Sequence, residues 1–395
     1  MDFRLPDKLI KLQKKLHRFV AEELIPIESQ VNQKEDLTRD QLLIFRDKAS
    51  NLGLWLYDVP KKFGGLGMSL LEQCVIQEEI AKTTALPFRH NELFSPNIGP
   101  ILYQGSEEQI ERFLYPVIRE EISVCFAQTE PDAGSDPAGM RTLAVKDGEI
   151  YTLNGTKRFI TGAGRAKYAQ VIAVTDQEKR ARGGISCLVV DMDSPGATIA
   201  RRWPTMMGDA PFEITFDNVK VPAENRIGKE GDGFALAQSW LTIGRVKGHG
   251  ARCVGIAERA MEIAVGYAAN RITYGEPLTD RQAIQFMIAD SAIDIKLARL
   301  LVYETATKFD QGEDVRNESF MTKVFCTEMA NRILDRAIQI TGGLGLTTDL
   351  PLEYWYRQLR GIRITEGVTE VLRWRLARNT IRDIVAKAND EERKI

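Results

Sequence analysis

Histidine is scarce: His17, His90 and His249 are the only three in 395 residues. Three isolated imidazoles build no clustered metal site and suggest no Ser-His-Asp set. The five cysteines, Cys74, Cys125, Cys187, Cys253 and Cys326, are scattered and form no CxxC pair. No disulfide or zinc framework is legible, and a reducing, cytoplasmic setting fits best. Charge of one sign is also missing. Against 53 Lys and Arg stand 55 Asp and Glu, a formal charge of −2, which argues against a general nucleic-acid binder. Long apolar runs are absent. The opening MDFRLPDKLIKLQKKLHRFV is charged throughout and lacks the apolar stretch of a signal peptide. The most apolar helix candidate, 253–269, is broken by Glu258, Arg259 and Glu262, so no membrane span is expected. There is no Walker A loop. Gly162-Ala163-Gly164-Arg165 lacks the third glycine of a dinucleotide fingerprint and opens no strand-turn-helix.

The hydrophobic period changes twice along the chain. Residues 1–121 read as helical, with apolar residues at helical spacing in 72–82 (EQCVIQEEIAK) and 107–118 (EEQIERFLYPVI). A turn-rich stretch, 60–67 (PKKFGGLG), precedes the first of these. Residues 122–232 carry short β-prone runs at 149–153, 169–174, 185–191 and 212–221, with Asp147-Gly148 as a hairpin turn. From 233 to 395 long helices return. Phe286, Ile293, Leu297, Leu300 and Leu301 fall near one stripe of a helix over 281–309, and helices of this length pack as a bundle. The charged tail 390–395 is expected to fray. The fold class is α+β, mostly α: an N-terminal helical domain, a middle β-domain and a C-terminal helical bundle.

Three segments have the composition of binding loops, and each also has a plainer reading. FAQTEPDAGSD (126–136) is dense in small and polar residues, as an ordinary Asx and Ser turn would be. Gly342-Gly343-Leu344-Gly345 follows a helical stretch and is most simply a helix stop. Glu366 falls just before a terminal helix, where a carboxylate is most often a capping or dipole contact.

Order and spacing together say more. LGLWLYDVPKKFGGLGMSLLEQCVIQEEIAK (52–82), FAQTEPDAGSD (126–136), LNGTKRFITGAG (153–164), FEITFDNVKVPAENRIGKEGDGF (212–234), RITYG (271–275), QITGGLG (339–345) and TEGVTEV (365–371) resemble, in sequence order, the signatures of the acyl-CoA dehydrogenase family along nearly the whole chain. The resemblance implies that family's fold, with a C-terminal four-helix bundle, and FAD as cofactor. It implies conversion of an acyl-CoA thioester to the trans-2-enoyl thioester, with Glu366 as the base for the α-proton and the β-hydrogen leaving as hydride to the flavin. The backbone N–H of Glu366 and a ribityl hydroxyl would polarise the thioester oxygen. Some members carry the base instead on a bundle helix, immediately before an Arg. Here that place is Gly244, before Arg245, and glycine cannot be a base.

By the same resemblance, Phe126, Gln128, Thr129, Gly134 and Ser135 approach flavin or substrate. Thr161 bonds near the hydride-accepting nitrogen, and Phe159, where the family usually has Trp, covers the ring. An ordinary core aromatic is the alternative for Phe159. Arg271, Gln282, Gln339 and Gly343 would bind the FAD diphosphate and adenosine across a subunit interface, Arg271 through its rigid donor fork. Arg245 would help hold the CoA part, with Ser135 and Gly367 also on the substrate. The implied assembly is a homotetramer, a dimer of dimers, and the implied acceptor an electron-transferring flavoprotein.

Departures from the pattern matter too. Val368 stands where the family has Thr and loses a hydroxyl that contacts FAD; Thr369 or Glu370 is the candidate replacement. Thr365 and Gly361 are smaller than the residues usual there, which would leave room for a branched or ring-bearing acyl group. Rival readings on the same fold are a flavin monooxygenase, an acyl-CoA oxidase, a CoA-ester lyase-type enzyme or a non-catalytic subunit of a mixed complex. Retention of Glu366 and both flavin loops favours dehydrogenation.

Overall fold

A computed structural model of the chain describes residues 4–30, 39–86 and 93–392. His90 and the tail residues 393–395 lie outside the described residues. The chain forms two compact units, each assembled from distant stretches of sequence. The helical unit comprises Met1–Gly53, Met68–Phe88 and Thr242–Ile395; the sheet unit comprises Leu54–Gly67 and Arg89–Leu241.

The sheet unit holds β1 (Val124–Ala127), β2 (Leu143–Asp147), β3 (Ile150–Ile160), β4 (Tyr168–Val174), β5 (Ile185–Asp191), β6 (Ala197–Arg202), β7 (Phe212–Pro222) and β8 (Arg226–Ile227). Their order is β6-β7-β3-β2-β4-β5-β8, with β1 parallel to β4. All four strands expected from the sequence are there. β1, β2, β6 and β8 are additional, and β3 runs seven residues past its expected end at 153. β4 is buried on both faces. Ile172 and Val174 enter one core with Phe113, Leu114 and Val117, while Ala169, Val171 and Ala173 enter a second with Leu153, Ile214 and Phe216. Side chains alternate faces along a strand, and here both faces are covered. The β2–β3 hairpin pairs Asp147 with Ile150, so its two central residues are Gly148 and Glu149. Only Gly148 has a positive φ, +55°, which is the pattern of a turn with glycine at its first central position.

In the helical unit, the expected helix at 72–82 is Leu70–Ile80. Its start is fixed by a capping box: Ser69 accepts from the Glu72 N–H, and Glu72 accepts from the Ser69 N–H. The helix Gly233–Ile243, assigned to the sheet unit up to Leu241, is followed by an eight-residue π-helical stretch Gly244–Ala251 and by Arg252–Asn270. Gln282–Asp310, Arg316–Thr341, Leu352–Ile362 and Thr369–Glu392 follow. No described helix is long and apolar enough to cross a membrane. Gly255 is required where the Arg252–Asn270 helix meets Leu70–Ile80, because a Cβ there would run into the Glu78 carbonyl. Nearby Glu78 is fully buried; it accepts from Arg299 Nε at 2.8 Å and from the Tyr303 hydroxyl at 2.9 Å.

Of the expected stripe on Gln282–Asp310, Leu300 and Leu301 are half-buried and the other three members face outward. Phe286, Ile293 and Leu297 are 60%, 59% and 50% exposed, while the buried side is Ser291, Ile295, Ala298, Val302 and Ala306. Small residues let the neighbouring helices approach, and the large apolar ones are left outside this chain's own core.

Replacing Gly255 by Ala is expected to destabilise the fold by about 1–3 kcal/mol, since a methyl group must displace backbone. Urea unfolding would report a lower midpoint at unchanged slope.

Candidate active site

Glu366 sits in the turn between Leu352–Ile362 and Thr369–Glu392, in the helical unit. Its φ is +53°, a left-handed conformation that costs a non-glycine residue on the order of 1–3 kcal/mol. Gly367 follows at φ +106°, where a Cβ would lie 3.4 Å from Arg245 Nη2. Two buried cations hold the turn. Lys323 Nζ donates to the carbonyls of Arg363 at 2.9 Å and Gly367 at 2.7 Å. Arg245 Nε donates to the Glu366 carbonyl at 2.9 Å, with its guanidinium over the Phe320 ring. Burial brings Lys323 down to about 8 and Arg245 down to about 10, with Glu366 opposing the shift in both. The charge of Glu366 thus supports the two groups that clamp its backbone.

The carboxylate itself turns toward the π-helical stretch. A Cβ built on Gly244 would lie 2.5 Å from Glu366 Oε2. The two base positions considered from the sequence therefore converge on one place, and Gly244 keeps it open. His249 Nδ1 lies 3.5 Å from Oε2 and 3.3 Å from the Gly244 carbonyl, and Nε2 lies 3.1 Å from Thr365 Oγ1.

The first candidate flavin loop starts at β1, in the sheet unit. Lys157 is fully buried; its Nζ donates to the Gln128 carbonyl at 2.9 Å and to Glu130 Oε1 at 2.8 Å. Glu130 also accepts the Arg141 and Thr142 N–H groups. Burial lowers Lys157 to about 8 against Glu130's pull. Burial pushes Glu130 up, but Lys157 and the N–H donors bring it below the ordinary carboxylate range. The Arg158 N–H donates to the Thr129 carbonyl at 2.8 Å, so β3 ties down the start of the loop at 128–130. Phe126 stacks on Trp240 at 5.0 Å. Gly134 and Ser135 are exposed.

Phe159 is not a core aromatic. It is 51% exposed, at φ +60°, in the irregular stretch between Lys157 and Ile160, edge-on to Trp203 at 5.6 Å. Thr161 follows at the strand end, half-buried. A large aromatic held out in a strained conformation fits the face of a planar ring. Gln128 supplies a polar group of the same kind: it is buried, and its Oε1 has no hydrogen-bond partner among the described residues. Such atoms are rare without a ligand or water to satisfy them. The loop residues therefore fit a flavin.

Arg271, Gln282, Gln339 and Gly343 all lie exposed on the helical unit. Arg271 leaves the Arg252–Asn270 helix, Gln282 opens Gln282–Asp310, and Gln339 lies in the last turn of Arg316–Thr341. Gly343 follows Gly342, which does stop that helix, at φ +60°. Val368 precedes the terminal helix. Thr369 is buried and donates to the exposed Glu370 carboxylate at 3.2 Å, so its hydroxyl already serves another residue. Arg245 is buried behind the Glu366 turn. Sequence reasoning missed Lys157, Lys323 and His249. A buried lysine looks like a surface lysine in a linear sequence, and His249 gave no signal beyond its rarity.

Lys157→Met would leave Glu130 buried without its cation. We expect a loss of about 3–5 kcal/mol in unfolding free energy and purified protein with a lower flavin-to-protein absorbance ratio.

Three family models cover the chain: the acyl-CoA dehydrogenase N-terminal domain at 6–121, middle domain at 125–219 and C-terminal domain at 231–381. The caffeyl-CoA reductase-Etf complex subunit CarC of Acetobacterium woodii is 37% identical over 91% of this chain and 95% of its own length. The (R)-benzylsuccinyl-CoA dehydrogenase of Thauera aromatica is 34% identical over 97% of this chain and 98% of its own. The solved FAD complex of PigA superposes with a TM-score of 0.85 at 26% identity, over 96% of this chain and 99% of that one. This chain therefore belongs to the acyl-CoA dehydrogenase family, and its cofactor is FAD.

Proposed function

We propose that this protein dehydrogenates an acyl-CoA thioester to its trans-2-enoyl thioester, with Glu366 removing the α-proton. The observation that carries this reading is the Glu366 carboxylate, set against Gly244 on a turn clamped by Arg245 and Lys323. A base works best when it is fixed within reach of its proton before substrate arrives. FAD, when bound, supplies the acceptor for the β-hydrogen, which leaves as hydride. The Glu366 N–H is the chain's own donor to the thioester oxygen as charge develops there. Ser135, Arg245 and Gly367 are assigned to the substrate. Phe126, Gln128, Thr129, Gly134, Ser135, Phe159, Thr161, Val368 and Glu370 are assigned to the flavin end of the cofactor. The exposed Arg271, Gln282, Gln339 and Gly343 are assigned to its diphosphate and adenosine in a neighbouring subunit. The outward Phe286, Ile293 and Leu297 support burial between copies in a homotetramer.

The preferred acyl group is ring-bearing. Thr365 and Gly361 are small, and two similar proteins are named for caffeyl-CoA and benzylsuccinyl-CoA. An electron-transferring flavoprotein is the proposed acceptor, as the relative in an Etf complex suggests. That relative is a reductase, so the same residues are also proposed to run in reverse, with protonated Glu366 returning a proton to the α-carbon. The unpaired, buried cysteines suit a reducing, cytoplasmic setting.

Anaerobic mixing with short, branched and ring-bearing acyl-CoAs tests this. Flavin bleaching should be fastest with ring-bearing chains and fall by about 10²–10⁴-fold in Glu366→Gln, as expected when a general base is lost. Bleaching that survives in Glu366→Gln removes Glu366 as the base. Fastest turnover of straight chains removes the ring assignment. Gly244→Ala should keep flavin binding but slow bleaching by about 10–100-fold, because the methyl group displaces the carboxylate from its position.

A further inference from the structure

We infer that His249 is a positioning residue for the reaction, holding the Glu366 carboxylate through its Nδ1–H. This rests on the reading of Glu366 as the base. The imidazole is buried, 6% exposed, in the π-helical stretch Gly244–Ala251. Wide π turns are frequent at functional sites because they re-aim side chains that a regular helix would direct elsewhere.

The protonation state of Nδ1 follows from its neighbours. Within 3.5 Å it meets two oxygens, the Gly244 carbonyl and Glu366 Oε2. A carbonyl and a carboxylate only accept, so the proton between them belongs to Nδ1. Nε2 faces the Thr365 hydroxyl, which can donate to it when the ring is neutral and accept from it when the ring is charged. The Nδ1 donor is therefore present in both states of the imidazole, and Thr365 fixes the ring's tautomer when it is neutral. The 3.5 Å separation is long for a hydrogen bond. Catalytic contacts are commonly long without substrate and tighten in the reacting complex.

Glu366 faces His249 from the turn, Arg245 lies on the imidazole's own stretch, and Lys323 approaches the turn from Arg316–Thr341. Arg245 and Lys323 bond the backbone of the turn. His249 Nδ1 instead approaches the carboxylate itself, 3.5 Å from Oε2. Thr365 thus has a use beyond being small: its hydroxyl orients the ring that meets the neighbouring Glu366.

The test compares His249→Asn and His249→Gln in the FAD-loaded enzyme. Asn places an amide donor near the Nδ1 position, and Gln places one near Nε2. The readouts are the pH profile of anaerobic flavin bleaching and the carboxylate band, identified by its loss in Glu366→Gln, in infrared pH-difference spectra. Loss of the Nδ1 donor in the Gln variant should move the acid limb and the infrared titration up by about 1–2 pH units, the size expected for one hydrogen bond to a charged group. The Asn variant should hold both near the wild-type position. Equal profiles in Asn, Gln and wild type would overturn the role of His249 and leave Glu366 as base intact. Bleaching that survives in Glu366→Gln would overturn both.

Discussion

A left-handed turn held by two buried cations is the constraint on which the candidate site depends. Glu366 is in a backbone conformation that a non-glycine residue avoids, and Gly367 extends it. Lys323 and Arg245 offset that cost by donating to three carbonyls of the turn. Both cations are themselves costly to bury, and Glu366 is the charge that offsets their burial. Strain, cations and carboxylate are mutually dependent, and the backbone that carries the carboxylate is held without any substrate. Gly244 belongs to the same arrangement, because the space it leaves empty is where the carboxylate stands.

The sheet unit solves a similar problem. Its candidate flavin loop is polar and turn-rich, and would be mobile if held by its own residues alone. Lys157 reaches from β3 to the Gln128 carbonyl and Glu130, and the adjacent Arg158 N–H binds Thr129. The irregular stretch that follows turns Phe159 outward. One strand therefore braces the loop and presents the aromatic. In both units a fully buried lysine bonds main-chain carbonyls, and main-chain contacts position a loop whatever side chains it carries.

The sequence by itself determined the alternation of helical and β periods, four of the eight strands of the sheet and the order of motifs that marks the family. These are local or additive signals. β4 and β5 were legible because both faces are buried and apolar residues therefore dominate them. β1, β2 and β6 were not: each is short or has an exposed outer face, and pairing with neighbours makes them strands. Glu366 was legible only through its motif. Only the tertiary structure decided that its carboxylate would meet Gly244 and His249, more than a hundred residues away, and that Lys157 and Lys323 would be interior. It also decided that Phe286, Ile293 and Leu297 face outward, because helical spacing states which residues share a side and not which side is covered. Those outcomes depend on long-range packing, which places groups according to the space and charge around them and leaves no periodic trace in the chain.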